Sequence, residues 1–211
     1  VVSTKELRFR NLSLRLGEST ATGAFQVTLE NGKTFDGNLE IPSIDLDSWL
    51  PAPDAGTVAA TAATGSPAEL PAGDREEPFE LPGDLSGTFG LSVGAISYRG
   101  GVARQIGVTV RAGDGRLGIE SAHALLPGGS AVDLTGVLGA RDGVPQFSGQ
   151  VQASSDNLRG LLSWLGVDVE SVPVDRLTRL SVVSSFDVTP VVVQAYGAEF
   201  ELDTLRATGG V

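Results

Sequence analysis

The chain has 211 residues, 41% of them apolar, 28 glycines, 11 prolines and few aromatics; this suits a packed protein of short strands and turns, not a helical bundle or a disordered chain. Cysteine is absent and His123 is the sole histidine. That excludes disulfides, thiolate chemistry and His- or Cys-based metal cages, and a formal charge of -11 opposes nucleic acid and anionic membrane surfaces.

The first signal along the chain is apolar alternation with a period of two, which puts every second side chain on one face of a sheet. Leu7 and Phe9 give way to Leu12 and Leu14, a change of parity that predicts a bulge. Phe25, Val27 and Leu29 alternate with polar residues, turn at Asn31-Gly32 and continue as Phe35, Leu39 and Ile41. Asn-Gly between alternating runs is a strong hairpin signal because both residues tolerate positive φ. Ser43 or Asp45 is placed to start a short helical turn holding Leu46, Trp49 and Leu50, closed by Pro51.

From Pro51 to Pro82 the composition changes. Six of the eleven prolines lie here, and Pro51–Asp84 holds seven acids against one base, Arg75. An acidic linker or mobile loop is expected.

Strands then resume. Phe89, Leu91 and Val93 pass out of phase into Ile96 and Tyr98, a second change of parity that predicts a bulge. Ile106, Val108 and Val110 turn through Gly113-Asp114-Gly115 into Leu117 and Ile119, and Val132, Leu134 and Leu138 turn at Asp142-Gly143 into Phe147 and Val151. Asp156 is the expected cap of a helix near 156–165, in which Leu158, Leu161, Leu162 and Leu165 share a face and which Gly166 ends. Phe186, Val188, Val192, Phe200 and Leu202 belong to a last pair of strands.

The segment from Phe35-Asp36-Gly37 to Trp49-Leu50 returns as Phe147-Ser148-Gly149 to Trp164-Leu165, offset by 112 residues at the glycines and 115 at the tryptophans. A repeat of this period divides the chain into four pieces. Residues 1–50 are the end of a first β unit and 51–83 the linker; 84–170 form a second unit and 171–211 the start of a third. The first residue is Val1, methionine is absent throughout, and neither end falls at a unit boundary, so the chain reads as an internal piece of a longer protein. The fold expected is mainly β: an elongated, strongly curved antiparallel sheet of about ten strands in repeated hairpins, with one or two short helices.

Chemical motifs are few. Gly90-Leu91-Ser92-Val93-Gly94, followed by Asp114 and His123, follows the letters and order of a hydrolase nucleophile elbow and triad, but the elbow needs a turn into a helix and these residues alternate as one strand. Gly113–Gly118 spells a dinucleotide fingerprint, yet strand alternation follows it where a helix N-terminus is required. Asp45 and Asp47 fit helix capping better than a cation site, and Asn11-Leu12-Ser13 is a glycosylation triplet by pattern alone. No catalytic residue, metal ligand or cofactor is predicted.

Several runs together resemble the AsmA family of Gram-negative envelope proteins. They are Asp84-Leu85-Ser86-Gly87-Thr88-Phe89, Gly115-Arg116-Leu117 with Leu125-Leu126-Pro127-Gly128-Gly129-Ser130, and Asp142-Gly143-Val144-Pro145-Gln146-Phe147-Ser148-Gly149 ahead of the Trp164 helix. The resemblance covers about Asp84 to Val211 and, more loosely, the first copy. It implies a periplasmic protein anchored in the inner membrane by a segment outside this chain. Its taco-like β-groove would carry phospholipid between the membranes in outer-membrane biogenesis, with other envelope proteins as possible partners. Acyl chains would then line the apolar face, formed by Phe25, Val27, Leu29, Phe35, Leu39, Ile41, Phe89, Leu91, Val93, Ile106, Val108, Val110, Leu117, Ile119, Val132, Leu134, Leu138, Phe147, Val151, Phe186, Val188, Val192, Phe200 and Leu202. The alternatives are a non-enzymatic docking module with the same face sealed as core, and a hydrolase using Ser92.

Overall fold

The computed structural model describes residues 6–29, 32–48 and 81–210. Residues 51–80 of the linker expected at 51–83, the Trp49-Leu50 end of the first helical turn, and Asn31 of the expected Asn31-Gly32 turn lie outside the described residues. The described chain forms one open sheet of 11 strands in sequence order, with the first and last strands unpaired to each other. The strands are β1 (Glu6–Leu16), β2 (Ser19–Thr28), β3 (Lys33–Asp45), β4 (Leu85–Tyr98), β5 (Gly101–Gly113), β6 (Arg116–Leu126), β7 (Ser130–Arg141), β8 (Val144–Ser155), β9 (Leu180–Val188), β10 (Val193–Leu202) and β11 (Leu205–Gly209). A helix, α1 (Leu158–Leu165), separates β8 from β9.

The turns follow from their residues. Asp114-Gly115 and Asp142-Gly143 both adopt positive φ (52° and 66°, 55° and 76°), as a two-residue hairpin turn whose twist matches its strands demands. Arg99-Gly100 does the same between β4 and β5. The letters of the dinucleotide fingerprint are therefore a hairpin turn running into β6, and no helix follows them.

Neighbouring strands pair antiparallel, with one exception. β3 and β4 run parallel, Lys33 facing Leu85 and Asp45 facing Ser97. The uniform antiparallel meander expected from sequence is broken here, because the chain leaves β3 at one end of the sheet and enters β4 at the other.

The strands are long, up to 14 residues, and several are bent. Register shifts fall at Phe9/Leu12 in β1, at Arg104/Gly107 in β5, at Ile119/Ala122 in β6 and at Tyr196/Glu199 in β10. Asn11, Gln105 and Gly197 sit at three of them with φ of 56°, 51° and 59°. Each extra residue bends its strand and strengthens the local twist. No extra residue accounts for the parity change between Val93 and Ile96: β4 keeps an unshifted register with both β3 and β5, and the apolar face steps by three residues in adjacent strands together, from Ile41 to Ile44 and from Val93 to Ile96. These steps lie next to the β5 bulge, so a crease crosses several adjacent strands and the sheet curves.

Beyond its ladder neighbours no strand makes an extensive backbone contact among the described residues. Among the described residues the sheet is a single layer. Its small core is Ala21, Ile41 and Val93, with Leu39, Ile44, Leu91, Ile96 and Ile106 packed around them, and no large side chain among the described residues is fully buried.

The helix docks at the end of the strands where β4 turns into β5. Asn157, not Asp156, is its cap: the Asn157 Oδ1 accepts from the Gly160 amide at 3.0 Å, while Gly166 closes the helix in the left-handed conformation at φ 84°. The Asp156 and Asn157 amides are instead held by the Gly129 and Gly128 carbonyls at 3.3 and 2.9 Å, which shifts the first free cap position by one residue. Trp164 lies over Gly101 and donates from its indole nitrogen to the Tyr98 carbonyl at 2.6 Å, with the two rings edge to face. Arg99 secures the C-terminus by donating to the Leu165 carbonyl at 3.1 Å.

Candidate functional site

Residues directly opposite in a ladder project from the same face, so the registers define the apolar surface row by row. The first row crosses ten strands as Leu7, Val27, Phe35, Gly87, Ala112, Leu117, Leu138, Phe147, Val188 and Val193. The second runs Phe9, Phe25, Gly37, Phe89, Val110, Ile119, Gly136, Gly149, Phe186 and Ala195. The third runs Leu12, Gly23, Leu39, Leu91, Val108, Ala122, Leu134, Val151 and Ser184.

Beyond the bulges the rows regroup. Ile41, Val93 and Ile106 continue the face on one half; Ala124, Val132, Ala153, Val182, Phe200 and Ala207 continue it on the other. Nearest the helix lie Ile44, Ile96 and Ala103, and then Leu126, Ser130, Ser155, Leu180, Leu202 and Leu205. Ser130 and Ser155 are buried and satisfy each other through a 2.7 Å hydroxyl hydrogen bond.

All but two of the residues expected on this face lie on it. Leu29 falls one residue past the end of β2 and is 52% exposed. Val192 is out of phase: it sits in the β9–β10 turn, where the Thr189 amide donates to its carbonyl, and Val193 takes the place opposite Val188. Pro190 in that turn moves the strand start by one position.

Glycine is the part of the face that apolar alternation does not mark. A Cβ on Gly37 would lie 2.5 Å from Phe25 and 3.2 Å from Phe89; on Gly136, 2.7 Å from Phe147; on Gly149, 3.1 Å from Phe186; on Gly87, 2.8 Å from Phe35. At Gly37 and Gly136 a phenylalanine ring of the adjacent strand therefore lies over the glycine, whereas at Gly87 and Gly149 the backbone carbonyls of Phe35 and Thr135 approach closer than the rings. A ring lying on the sheet covers backbone without standing into the space above it. The face is thus lined by aromatics yet stays low, and among the described residues no second layer fills its free side.

The opposite face is polar. Arg111 pairs there with Glu120, and Arg8 with Glu6 at 2.6 Å. At the rim where β3 and β4 begin, Lys33 pairs with Asp84 at 3.0 Å, an interaction that lowers the Asp84 pKa. Asp187 is held below the usual carboxylate range by hydrogen bonds from Ser148 and then Tyr196, and the phenol is raised in return. These groups are exposed and their shifts describe surface pairing.

Ser92 and His123 also lie on this polar face, in one row: Ser92 is opposite Gly107, Gly107 opposite His123, and His123 opposite Asp133. The imidazole covers Gly107, in the space a Cβ there would need. The acid opposite His123 is Asp133, whereas Asp114 stands in a hairpin turn. No hydrogen bond joins Ser92 to His123 or His123 to Asp133 among the described residues, and Ser92 is in mid-strand, without the strand-to-helix turn an elbow requires. Asp45 and Asp47 serve the backbone, accepting from the amides of Asp47 at 3.1 Å and Arg99 at 2.8 Å. Among the described residues no three His, Asp or Glu side chains gather as metal ligands, and no helix is long and apolar enough to cross a membrane.

Comparison with protein-family models, curated proteins and solved structures finds no match to the chain.

Proposed function

We propose that this chain is a periplasmic segment of an AsmA-like protein that holds phospholipid acyl chains along its apolar face and takes part in their transport between the inner and outer membranes. The observation that carries this reading is the unbroken apolar face of a one-layer sheet, bent by bulges, with no large side chain among the described residues fully buried. A sheet with one apolar face must pack on another layer, close on itself or accept an apolar partner. Here the first two are not met by the described residues. Ten strand-to-strand spacings of about 4.8 Å make the face roughly 48 Å long, and each CH₂ group kept from water there is worth about 0.8 kcal/mol. Headgroups would stay at the polar rim.

The test is native mass spectrometry of the purified protein together with displacement of a fluorescent fatty acid. Co-purified phospholipid is expected, and Val108→Arg or Leu134→Arg should abolish probe binding with an unchanged far-UV circular dichroism spectrum. A ligand-free protein that ignores the probe overturns the reading in favour of a docking module whose apolar face is covered by a protein partner.

A further inference from the structure

We propose that the polar face carries a second site, an anion-binding hollow built on Arg116 and Arg141 that takes a phosphate group. Arg116 opens β6 and Arg141 ends β7, so the two guanidinium groups stand beside neighbouring hairpin turns at the rim away from α1. Between them lies a hollow of about 460 Å³ floored by Gly139 and walled by Gln146 and Ser148. The absence of a side chain at Gly139 matters: the stem of Arg116 passes over it, 3.6 Å from where a Cβ would be.

Both charged side chains around the hollow are basic. The cations Lys33, Arg111 and Arg206 each have a carboxylate partner, whereas neither Arg116 nor Arg141 has one within 4.0 Å among the described residues. The nearby acids make no ion pair with either arginine among the described residues. Glu120 binds Arg111, Asp187 receives Ser148, Tyr196 and Gln146, and Asp114 and Asp142 occupy the turns. Neither guanidinium group has a carboxylate partner within 4.0 Å among the described residues, and their planar forks match the oxygens of phosphate. Gln146 retains an amide proton to add to them, since a primary amide has two donors.

The shared chemistry is a phosphate group, which either a lipid headgroup at the rim or free phosphate supplies. The site stands on the polar face and does not depend on the acyl-chain reading. The experiment is a titration of inorganic phosphate into isotope-labelled protein at fixed low ionic strength, followed by amide chemical shifts and compared with chloride. Saturable shifts at Gly139, Ala140 and Ser148 are expected. Arg116→Gln and Arg141→Gln should each weaken binding about tenfold, Arg116→Lys should weaken it less, and Arg111→Gln should leave it unchanged. Shifts that match those of chloride, or that survive in the double Gln variant with a native circular dichroism spectrum, overturn the proposal.

Short-chain phosphatidic acid below its micelle concentration separates the sources. Tighter binding than inorganic phosphate, reduced to the inorganic value by Val108→Arg, identifies a headgroup whose tails reach the groove. Equal affinities indifferent to Val108→Arg identify free phosphate. Failure of the acyl-chain reading is seen separately, as a protein that ignores the fatty-acid probe yet still binds phosphate.

Discussion

Substituting alanine for Gly37 sets two physical effects against each other. Gly37 lies within β3 and has no left-handed φ. By backbone entropy alone, Gly→Ala at a compatible position stabilises a protein by about 0.4–1 kcal/mol. The new methyl would, however, stand 2.5 Å from Phe25 Cδ2, 3.2 Å from Phe89 Cδ2 and 3.3 Å from the Ala24 carbonyl. An ordinary carbon–carbon contact is about 3.5–4.0 Å, so the Phe25 ring must move by roughly 1 Å and stand up from the sheet. Overpacking of this kind costs about 1–3 kcal/mol, which exceeds the entropic gain. The expected outcome in urea denaturation is a loss of about 1–2 kcal/mol with an unchanged m-value. Phe25→Leu in the same chain should recover part of that loss, and the lifted ring should lower fatty-acid probe binding. A Gly37→Ala protein as stable as the parent, or one whose effect is additive with Phe25→Leu, refutes the view that glycines let the aromatic rings lie flat.

Four further outcomes follow from the same geometry. Asp203 accepts hydrogen bonds from the Thr178 hydroxyl and from the amides of Arg179, Thr178 and Leu177, which hold its pKa down at about 2 from 3.8. Because the folded value is the lower one, this stabilisation is present above about pH 4 and is lost as pH falls toward 2; Asp203→Asn should flatten the acid limb of the stability profile in that window. Trp164→Phe deletes the bond to the Tyr98 carbonyl and should cost about 1–2 kcal/mol, with greater amide exchange across α1. Arg159 donates to the carbonyls of Val169, Val172 and Pro173 at 2.8, 2.7 and 2.5 Å, so Arg159→Met should open the segment after the helix to trypsin cleavage at Arg176. Ser92→Ala should leave ester turnover by the purified protein at the level of the parent, and a selective loss would revive the hydrolase alternative.

Alternation and turn chemistry make most of the sheet legible. Side chains that repeat every second residue have one possible geometry, and Asp-Gly pairs between such runs fix where the chain reverses. The parity change between Phe9 and Leu12 marks a real bulge for the same reason. What alternation cannot reveal is anything carried by two strands at once. The parallel pairing of β3 with β4 leaves no mark on either strand, and the phenylalanine–glycine pairs exist only once the register is known. Val192 misleads because it has the right chemistry one position out of phase, where the Thr189 turn decides. Ser92 and His123 share a row for a similarly unreadable reason: Gly107, between them, belongs to a third strand.

The pieces of this face depend on one another. Bulges at Asn11, Gln105 and Gly197 bend strands that would otherwise make a flat sheet, and Leu39, Ile44, Leu91, Ile96 and Ile106 gather around Ala21, Ile41 and Val93 with no second layer among the described residues. Standing phenylalanines would fill the resulting concavity, but glycines on neighbouring strands give the rings somewhere to lie. Curvature and glycine placement thus solve opposite problems, the first enclosing apolar surface and the second keeping room above it. A sealed core needs only the first. The second recurs at Gly37 and Gly136, where a ring atom is what a Cβ would meet first, so on these strands the space above the sheet is set by glycine placement as much as by curvature.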